Sequence, residues 1–209
     1  MNNKLILGTV QFGLKYGINN TIGKLKKDEV LSLMKVAYNS GIRILDTAEA
    51  YGNAHQLIGD FHNKNDNLKF KIITKFPHKI KLSLIGTKII EYLDLLHVKT
   101  LEVIMFHSFE SFQSNYKALN SLNKLKSNDL INNVGVSVYT NAQLKSLLNE
   151  DLITVVQLPF NLLDNSNVRG DLINRLKEKG KIIHTRSAFL QGLFFKSTND
   201  KNPIVQELK

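Results

Sequence analysis

Cysteine is absent from this sequence of 209 residues, which excludes disulfide bridges and thiolate metal sites. No apolar run approaches the roughly 20 residues that a membrane-spanning helix requires, and the opening segment MNNKLILGTVQFG lacks the layout of a signal peptide. Internal repeats, low-complexity tracts and obvious linkers are also missing. The scattered histidines without metal-ligand spacing are His55, His62, His78, His97 and His184. We therefore expect a soluble, cytoplasmic protein without a metal site.

Acidic residues are the scarcer charge, with 18 Asp and Glu against 28 Lys and Arg, giving a net charge of +10. A basic balance can indicate a nucleic-acid-binding protein. Here the lysines are spread along the chain, for example at 24–27, 79–81 and 177–181, without interleaved aromatic residues. This spread favours solvated helix faces and leaves nucleic-acid binding as a remote alternative, which a steep salt dependence would reveal. A diffuse positive field would still favour an anionic, phosphate-bearing cofactor.

Length and composition indicate one globular domain, since 209 residues with 43% hydrophobic and 22% charged content allow one substantial core. Short β-branched apolar runs alternate with segments of helical periodicity. The predicted strands are 5–7, 42–45, 70–74, 100–106, 131–138, 153–158 and 182–185. The predicted helices are one from about Asp28 to a cap at Gly41, then 53–61, 82–96, 112–125, 141–148 with Asn141 as N-cap, and 168–179. Such alternation is typical of parallel βα units in a TIM-type (β/α)8 barrel of the α/β class.

The segment around which the sequence is organised is GIRILDTAEAYGNAHQLIG, residues 41–59. Asp46 ends its strand, and Tyr51 follows on the loop that leads into the next helix. Lys75 ends the third predicted strand and His107 the fourth. Because the carboxyl ends of parallel strands meet at the rim where α/β active sites are built, we expect these four acid–base groups to converge.

The motifs GTVQFG at 8–13 and DTAEAYG at 46–52, followed by single Lys and His residues at strand ends, give the sequence a specific family likeness. It resembles the aldo-keto reductase family over essentially the whole chain. The resemblance implies a TIM-type barrel that reduces an aldehyde or ketone with hydride from NAD(P)H. The implied partner is a small carbonyl substrate, with neither nucleic acid nor membrane.

Within that resemblance, Tyr51 is the expected proton donor for the developing alkoxide. Its phenol needs a pKa below the ordinary value of about 10, and Lys75 is the cation expected to lower it. Asp46 would hold and orient Lys75. His107 would donate a hydrogen bond that positions and polarises the carbonyl.

The resemblance also implies a nicotinamide cofactor, more often NADP(H) than NAD(H). Ser137 and Gln157 stand where the family grips the carboxamide, although Val138 replaces its usual Asn. Arg186 occupies the place of an aromatic residue that stacks under the nicotinamide, and its planar guanidinium could stack instead. His55 replaces a frequent Glu and is expected to affect only local stability. The remaining cofactor candidates are Gly8 and Thr9 in the opening motif, with Ser187, Leu190, Gly192 and Leu193 in the segment that wraps the pyrophosphate.

The chain is shorter than the roughly 250 residues of a typical eight-fold barrel. After the seventh strand come a polar loop and a segment, 203–209, that reads as the start of a helix. We expect residues 1–209 to form a single domain that is an incomplete barrel without its eighth βα unit, with low thermal stability and a tendency to self-associate. The alternative function is a catalytically impaired relative that binds nucleotide weakly or acts as a binding module.

Overall fold

Seven parallel strands form one curled sheet in the computed structural model, which describes residues 4–196 and residue 205. The strands are β1 Leu7–Gly8, β2 Ile44–Asp46, β3 Lys71–Lys75, β4 Leu101–Phe106, β5 Ile131–Ser137, β6 Val155–Pro159 and β7 Ile182–Arg186. The helices are α1 Val10–Gly13, α2 Lys27–Asn39, α3 Ala54–Lys64, α4 Ile85–Leu96, α5 Phe109–Ser114, α6 Leu119–Ser127, α7 Asn141–Ser146 and α8 Ser166–Glu178. The predicted α/β class with a parallel sheet is confirmed.

The strands pair in chain order, and every neighbouring pair is parallel. Within the described part of the chain, β1 pairs with β2 alone and β7 pairs with β6 alone, so the sheet is an open, partial barrel. Because all the neighbouring strands are parallel, all the carboxyl ends lie on one rim. That rim carries the side chains considered below.

Two apolar layers hold the sheet in place. The larger layer lies between the strands and the helices and includes Leu45, Ile72 and Ile104 from the sheet. A smaller inner cluster on the concave face consists of Ile73, Val103, Met105 and Val155. Successive residues of one strand therefore point to opposite layers, as the period of two requires. Each fully buried aliphatic side chain contributes about 1.5–3 kcal/mol, which fixes the strand register.

The helices α2 and α3 present their predicted apolar faces to the sheet. Val30, Met34 and Ala37 of α2 are buried, as are Leu57, Ile58 and Phe61 of α3. Leu33, which the helical spacing would place beside them, is exposed instead. The helix ends close to the predicted cap, since Gly41 follows it with a φ of 87°, a left-handed conformation that glycine adopts without strain.

The single helix predicted over 112–125 is interrupted in the structure. The hydroxyl of Ser108 accepts a hydrogen bond from the Ser111 N–H at 3.2 Å, so α5 begins three residues early. Asn115 then ends α5, because its side-chain amide donates to the Ser111 carbonyl at 3.0 Å. A 3-10 turn, Tyr116–Ala118, leads into α6.

The predicted N-cap of α7 is wrong by one residue. Thr140 is the cap, since its hydroxyl accepts from the Gln143 N–H and the Gln143 side chain accepts from the Thr140 N–H, both at 3.2 Å. This reciprocal pair is a capping box. Asn141 is the first helical residue, and its side chain donates to the Val168 carbonyl at 2.9 Å.

The segment predicted to start a helix at 203–209 lies outside the described residues, apart from Val205. Two further short 3-10 segments are Leu82–Leu84, which precedes α4, and Leu190–Phe195, which follows β7. No helix in the described part of the chain has the length and apolar character needed to cross a membrane.

Candidate active site

Side chains from three adjacent strand ends meet at the rim. Asp46 is the last residue of β2 and Lys75 the last of β3, while His107 directly follows β4. The register pairs Asp46 with Ile73 and Lys75 with Met105, which brings these ends side by side. Tyr51 lies on the loop between β2 and α3 and completes the group. The convergence expected from the sequence is therefore present in the structure.

Asp46 and Lys75 form a buried ion pair. The Lys75 Nζ donates to the Asp46 Oδ1, and also to the Thr47 carbonyl at 3.3 Å. The Lys75 side chain is only 2% exposed and that of Asp46 15%. The second carboxylate oxygen of Asp46 accepts from the Gln157 Nε2 at 2.5 Å. Both oxygens are thus occupied, which compensates for the cost of burying the charges.

Tyr51 lies close to both Lys75 and His107. The Lys75 Nζ is 5.6 Å from the centre of the Tyr51 ring. The rings of Tyr51 and His107 meet edge to face with their centres 5.9 Å apart. The Tyr51 side chain therefore lies near both the Lys75 ammonium and the His107 imidazole.

The pKa of Tyr51 is raised in the structure, whereas the sequence predicts that it is lowered. Burial raises the pKa of the phenol above its ordinary value, and the negative charge of Asp46 raises it further, while Arg186 acts in the opposite direction. The cation of Lys75 was expected to lower this pKa, but its charge is balanced by the carboxylate that it binds. Tyr51 consequently keeps its proton at neutral pH, as a proton donor must.

His107 is held in its neutral form. Burial lowers its pKa to about 4, and the nearby charge of Lys75 lowers it as well. Its ring stacks on that of His78 with centres 4.4 Å apart. The Nδ1 is buried and has no hydrogen-bond partner among the described residues. A neutral imidazole carries one N–H, so His107 can donate a single hydrogen bond to a ligand oxygen.

Two glycines of the sequence motifs allow the Tyr51 loop to approach the first loop of the chain. A Cβ on Gly13 would lie 1.7 Å from the Tyr51 carbonyl oxygen. Gly52 has a φ of 57°, and a Cβ there would lie 2.5 Å from the Gly13 carbonyl oxygen. The last glycine of GTVQFG and the glycine of DTAEAYG are therefore explained by backbone contact between the two loops.

Gly13→Ala is expected to destabilise the protein by at least about 1–3 kcal/mol, since the added methyl group cannot fit without moving the Tyr51 backbone. Thermal unfolding of the purified variant measures this effect. Gly86→Ala is the matched control because a Cβ on Gly86, near the start of α4, meets nothing within 4 Å. A Gly13→Ala variant as stable as the Gly86→Ala variant would contradict the packing described here.

A cavity of about 950 Å³ opens at this rim. Its wall includes all four predicted catalytic side chains. The predicted cofactor residues on the same wall are Gly8, Thr9, Ser137, Gln157, Arg186, Ser187 and Gly192. Leu190 and Leu193 do not line it, and Leu193 is buried. Leu190 and Gln191 have left-handed backbones, with φ of 43° and 58°, so the turn brings Gln191 and Gly192 to the cavity instead.

The two residues predicted to bind a carboxamide, Gln157 and Ser137, differ in their hydrogen-bond partners. Gln157 uses its Nε2 on Asp46, and its buried Oε1 has no partner among the described residues. Ser137 accepts a hydrogen bond from the Arg186 Nε at 3.4 Å. An amide N–H₂ group would supply the donor that the Gln157 Oε1 lacks, so the residues present fit a carboxamide at this position.

Some cavity residues were missed by sequence reasoning. His184 lines the cavity two residues before Arg186, so the alternation of β7 could have identified it. Tyr139 follows β5 and lines the cavity too. Asn19, on the loop after α1, donates its N–H to the Gln191 carbonyl at 3.3 Å. This contact joins the segment after β7 to the loop near β1 and could not be found by local patterns.

The stability of the fold should fall as the pH is lowered from about 6.5 towards 4. Burial lowers the pKa of both His55 and His107 from 6.5 to about 4. Between these values the unfolded chain binds protons that the folded chain does not, so acid favours unfolding. His55 is buried and its Nε2 is 2.8 Å from the Thr74 Oγ1.

The check is the melting temperature measured from pH 7 to pH 5 for His55→Gln. We expect a smaller loss on acidification than in the wild type, since one buried histidine no longer needs to stay neutral. His97→Gln is the matched control, because that side chain is exposed. Equal pH slopes for His55→Gln and the wild type would show that His55 contributes nothing to the acid sensitivity.

An open barrel of parallel βα units, with a Tyr, Lys, Asp and His at its carboxyl rim, defines a recognisable class of protein. The family model of the "Aldo/keto reductase family" matches residues 4–209. The chain belongs to the aldo/keto reductase family.

Individual relatives support the fold. An aldo-keto reductase from Bacillus halodurans, solved in its holo form, superposes with a TM-score of 0.75 at 17% identity over 96% of this chain and 65% of that one. A glycerol dehydrogenase from Gluconobacter oxydans gives 0.71 at 19% identity over 95% and 64%. In Schizosaccharomyces pombe, a protein named for aryl-alcohol dehydrogenase activity is 36% identical over 73 residues, 34% of this chain and 20% of its own length. This chain thus spans about two thirds of the length of the solved relatives.

Proposed function

We propose that this protein reduces an aldehyde or ketone to an alcohol with hydride from NAD(P)H, with Tyr51 as the proton donor. The observation that carries the proposal is the convergence of Tyr51, Lys75, Asp46 and His107 on one cavity wall. Membership of the family makes nicotinamide-dependent oxidoreduction the expected chemistry. The proposed partner is a small carbonyl compound.

The proton donor needs a proton and a path to a carbonyl oxygen. Tyr51 keeps its proton because its pKa is raised by burial and by Asp46. Once the proton leaves, a phenolate would form beside the Lys75 ammonium, whose charge stabilises it. Asp46 orients Lys75 through their ion pair. The role of the lysine is thus to stabilise the product of proton transfer.

His107 is suited to holding the carbonyl. As a neutral imidazole it donates one N–H without adding a charge, and its ring contacts Tyr51 edge to face. A carbonyl oxygen placed between the two would accept hydrogen bonds from both. Such donors stabilise the negative charge that develops on oxygen during reduction.

The cofactor would be held along the same wall. Gln157 and Ser137 would bind its carboxamide, the Arg186 guanidinium would contact the nicotinamide ring, and Ser187 with Gly192 would lie along the pyrophosphate. Gly8 and Thr9 would border it from β1. A bound reduced nicotinamide supplies the hydride. We propose NADP(H) rather than NAD(H), in line with the family's more frequent choice, and the positive net charge of +10 favours a phosphate-bearing cofactor.

The alternative is a catalytically impaired relative that binds nucleotide weakly or acts as a binding module. The observation that favours it is the partial sheet, in which β1 and β7 each have a neighbour on one side only within the described residues. A site on such a sheet is less firmly supported than one in a closed barrel.

The two functions are separated by assaying the purified chain with NADPH and with NADH against short aliphatic and aromatic aldehydes. Nicotinamide fluorescence measures binding, and loss of its absorbance measures turnover. The proposal expects both signals. Binding with no turnover for any aldehyde would establish the alternative, and neither signal in a folded preparation would exclude both reduction and nucleotide binding.

A further inference from the structure

Arg186 is held in a fixed orientation at the end of β7. One face of its guanidinium lies over the Tyr139 ring, 4.3 Å from the ring centre. Its Nε donates to the Ser137 Oγ at 3.4 Å and its Nη1 to the Ser187 Oγ at 3.2 Å. Contacts from three neighbours thus position a side chain that would otherwise be flexible.

The third nitrogen of this guanidinium lacks an acceptor. The Arg186 Nη2 is buried, with no hydrogen-bond partner in the described part of the chain. No carboxylate of residues 4–196 forms an ion pair with Arg186 either. A buried charged donor without an acceptor is unfavourable, so a ligand that supplies an anionic oxygen would be bound preferentially.

The distribution of charge on the cavity wall also indicates an anion site at Arg186. Among the described lining residues, the Asp, Glu, Lys and Arg side chains are Asp46, Lys75 and Arg186. The carboxylate of Asp46 is occupied by Lys75 and Gln157. Asp46 and Lys75 cancel, so the uncompensated positive charge of the cavity is that of Arg186.

We propose that Arg186 is a specificity-determining residue that binds an anionic group, a carboxylate or a phosphate, carried by the carbonyl substrate. The inference rests on the proposed reductase function and names its substrate class. A guanidinium is the side chain best matched to these planar or tetrahedral anions, since it offers paired N–H donors and a permanent charge.

The substrate, rather than the cofactor, is the proposed source of the anion. Arg186 lines the same cavity as Tyr51 and His107. Burial is the main cause of the shifted pKa of both groups, and the charge of Arg186 acts to lower each pKa. Arg186 therefore lies within electrostatic reach of the groups that would hold the reacting carbonyl.

The test compares pairs of aldehydes in which one member carries an anionic group and the other lacks it. Succinic semialdehyde is paired with butanal for a carboxylate, and glyceraldehyde 3-phosphate with glyceraldehyde for a phosphate. We expect the wild type to prefer the anionic member of at least one pair, and the pair identifies the anion. In Arg186→Met the ratio of kcat/KM, anionic over neutral, should fall by about 10- to 100-fold, the usual loss of a charge-assisted hydrogen bond. Arg186→Lys keeps the charge but loses the paired N–H donors of the guanidinium. Its ratio should lie between those of the wild type and Arg186→Met.

Arg175→Met is the matched control, because Arg175 is half exposed on α8 and lies outside this cavity. It should leave the ratio unchanged. An equal loss for anionic and neutral aldehydes in Arg186→Met would overturn the proposal. An unchanged ratio in Arg186→Met would overturn it too, whatever the change in NADPH affinity, because contact with the nicotinamide would then be the only role of the guanidinium.

A binding measurement separates this inference from the reductase function itself. Calorimetric titration with succinate, succinamide and inorganic phosphate requires no turnover. We expect the wild type to bind succinate or phosphate more tightly than succinamide, and Arg186→Met to lose that difference. If no aldehyde is reduced but this difference is present, the reductase proposal fails while the anion site stands. If succinate, phosphate and succinamide bind alike, the anion site fails whatever the turnover.

Discussion

Tyr51→Phe is expected to lower kcat for aldehyde reduction by about 10²- to 10⁴-fold, the usual contribution of a positioned proton donor. The phenolic O–H is the group removed, and it acts only as negative charge develops on the carbonyl oxygen. The affinity for NADPH should stay within a few-fold of the wild type, because the ring and its edge-to-face contact with His107 are retained. Steady-state kinetics and nicotinamide fluorescence measure the two quantities.

The raised pKa of Tyr51 adds a pH dependence to this prediction. Because burial and Asp46 keep the phenol protonated above its ordinary pKa of 10, the wild-type rate should not decline on the alkaline side until that value is passed. Tyr116→Phe is the control, since Tyr116 is 53% exposed and lies outside the cavity. Near-full turnover by Tyr51→Phe would remove Tyr51 from the role of acid.

Lys75→Met is expected to cost about 3–5 kcal/mol of stability in addition to activity, since it leaves the Asp46 carboxylate largely buried without its cation. The Asp46 side chain is 15% exposed, and Gln157 would be its remaining side-chain partner. Without the ammonium, Lys75 no longer balances the negative charge of Asp46 beside Tyr51, and the phenolate loses its stabilising cation. We therefore expect both a lower rate and an altered pH profile.

Lys71→Met is a stringent control for this variant. Lys71 begins the same strand, β3, and pairs with Glu102 at 3.2 Å, but its side chain is 63% exposed. An exposed pair contributes only about 0–1 kcal/mol, so Lys71→Met should melt close to the wild type. Asp46→Asn combined with Lys75→Met should recover part of the stability, because the unpaired charge is gone. A Lys75→Met variant as stable and as active as Lys71→Met would refute the assigned role of the pair.

The sequence predicted the parts of the site that depend on strand periodicity. Asp46, Lys75 and His107 each follow an apolar β-branched run, and parallel pairing is enough to place such positions on one rim. The short spacing from Asp46 to Tyr51 kept the phenol on the same loop. Because these patterns are local, the predicted strand ends differ from the observed ones by only a few residues.

Two features of the site that the sequence did not predict depend on distant contacts. The Gln157 side chain meets Asp46 across 111 residues, and it was predicted only as a carboxamide ligand. The pKa of Tyr51 rises because packing buries it and because Lys75 is already paired. Neither burial nor charge pairing can be read from spacing. The break in the helix predicted at 112–125 has a local cause, the competing side-chain bonds of Ser108 and Asn115.

The most direct test of the central claim follows the hydride itself. The purified chain is incubated with an aldehyde and a reduced nicotinamide that carries deuterium at its transferable position, and the alcohol is examined by NMR and mass spectrometry. We expect an alcohol with one deuterium on its carbinol carbon from the wild type, and almost none of this alcohol from Tyr51→Phe in the same time. A folded wild-type chain that binds the cofactor yet yields no labelled alcohol from any aldehyde would contradict it.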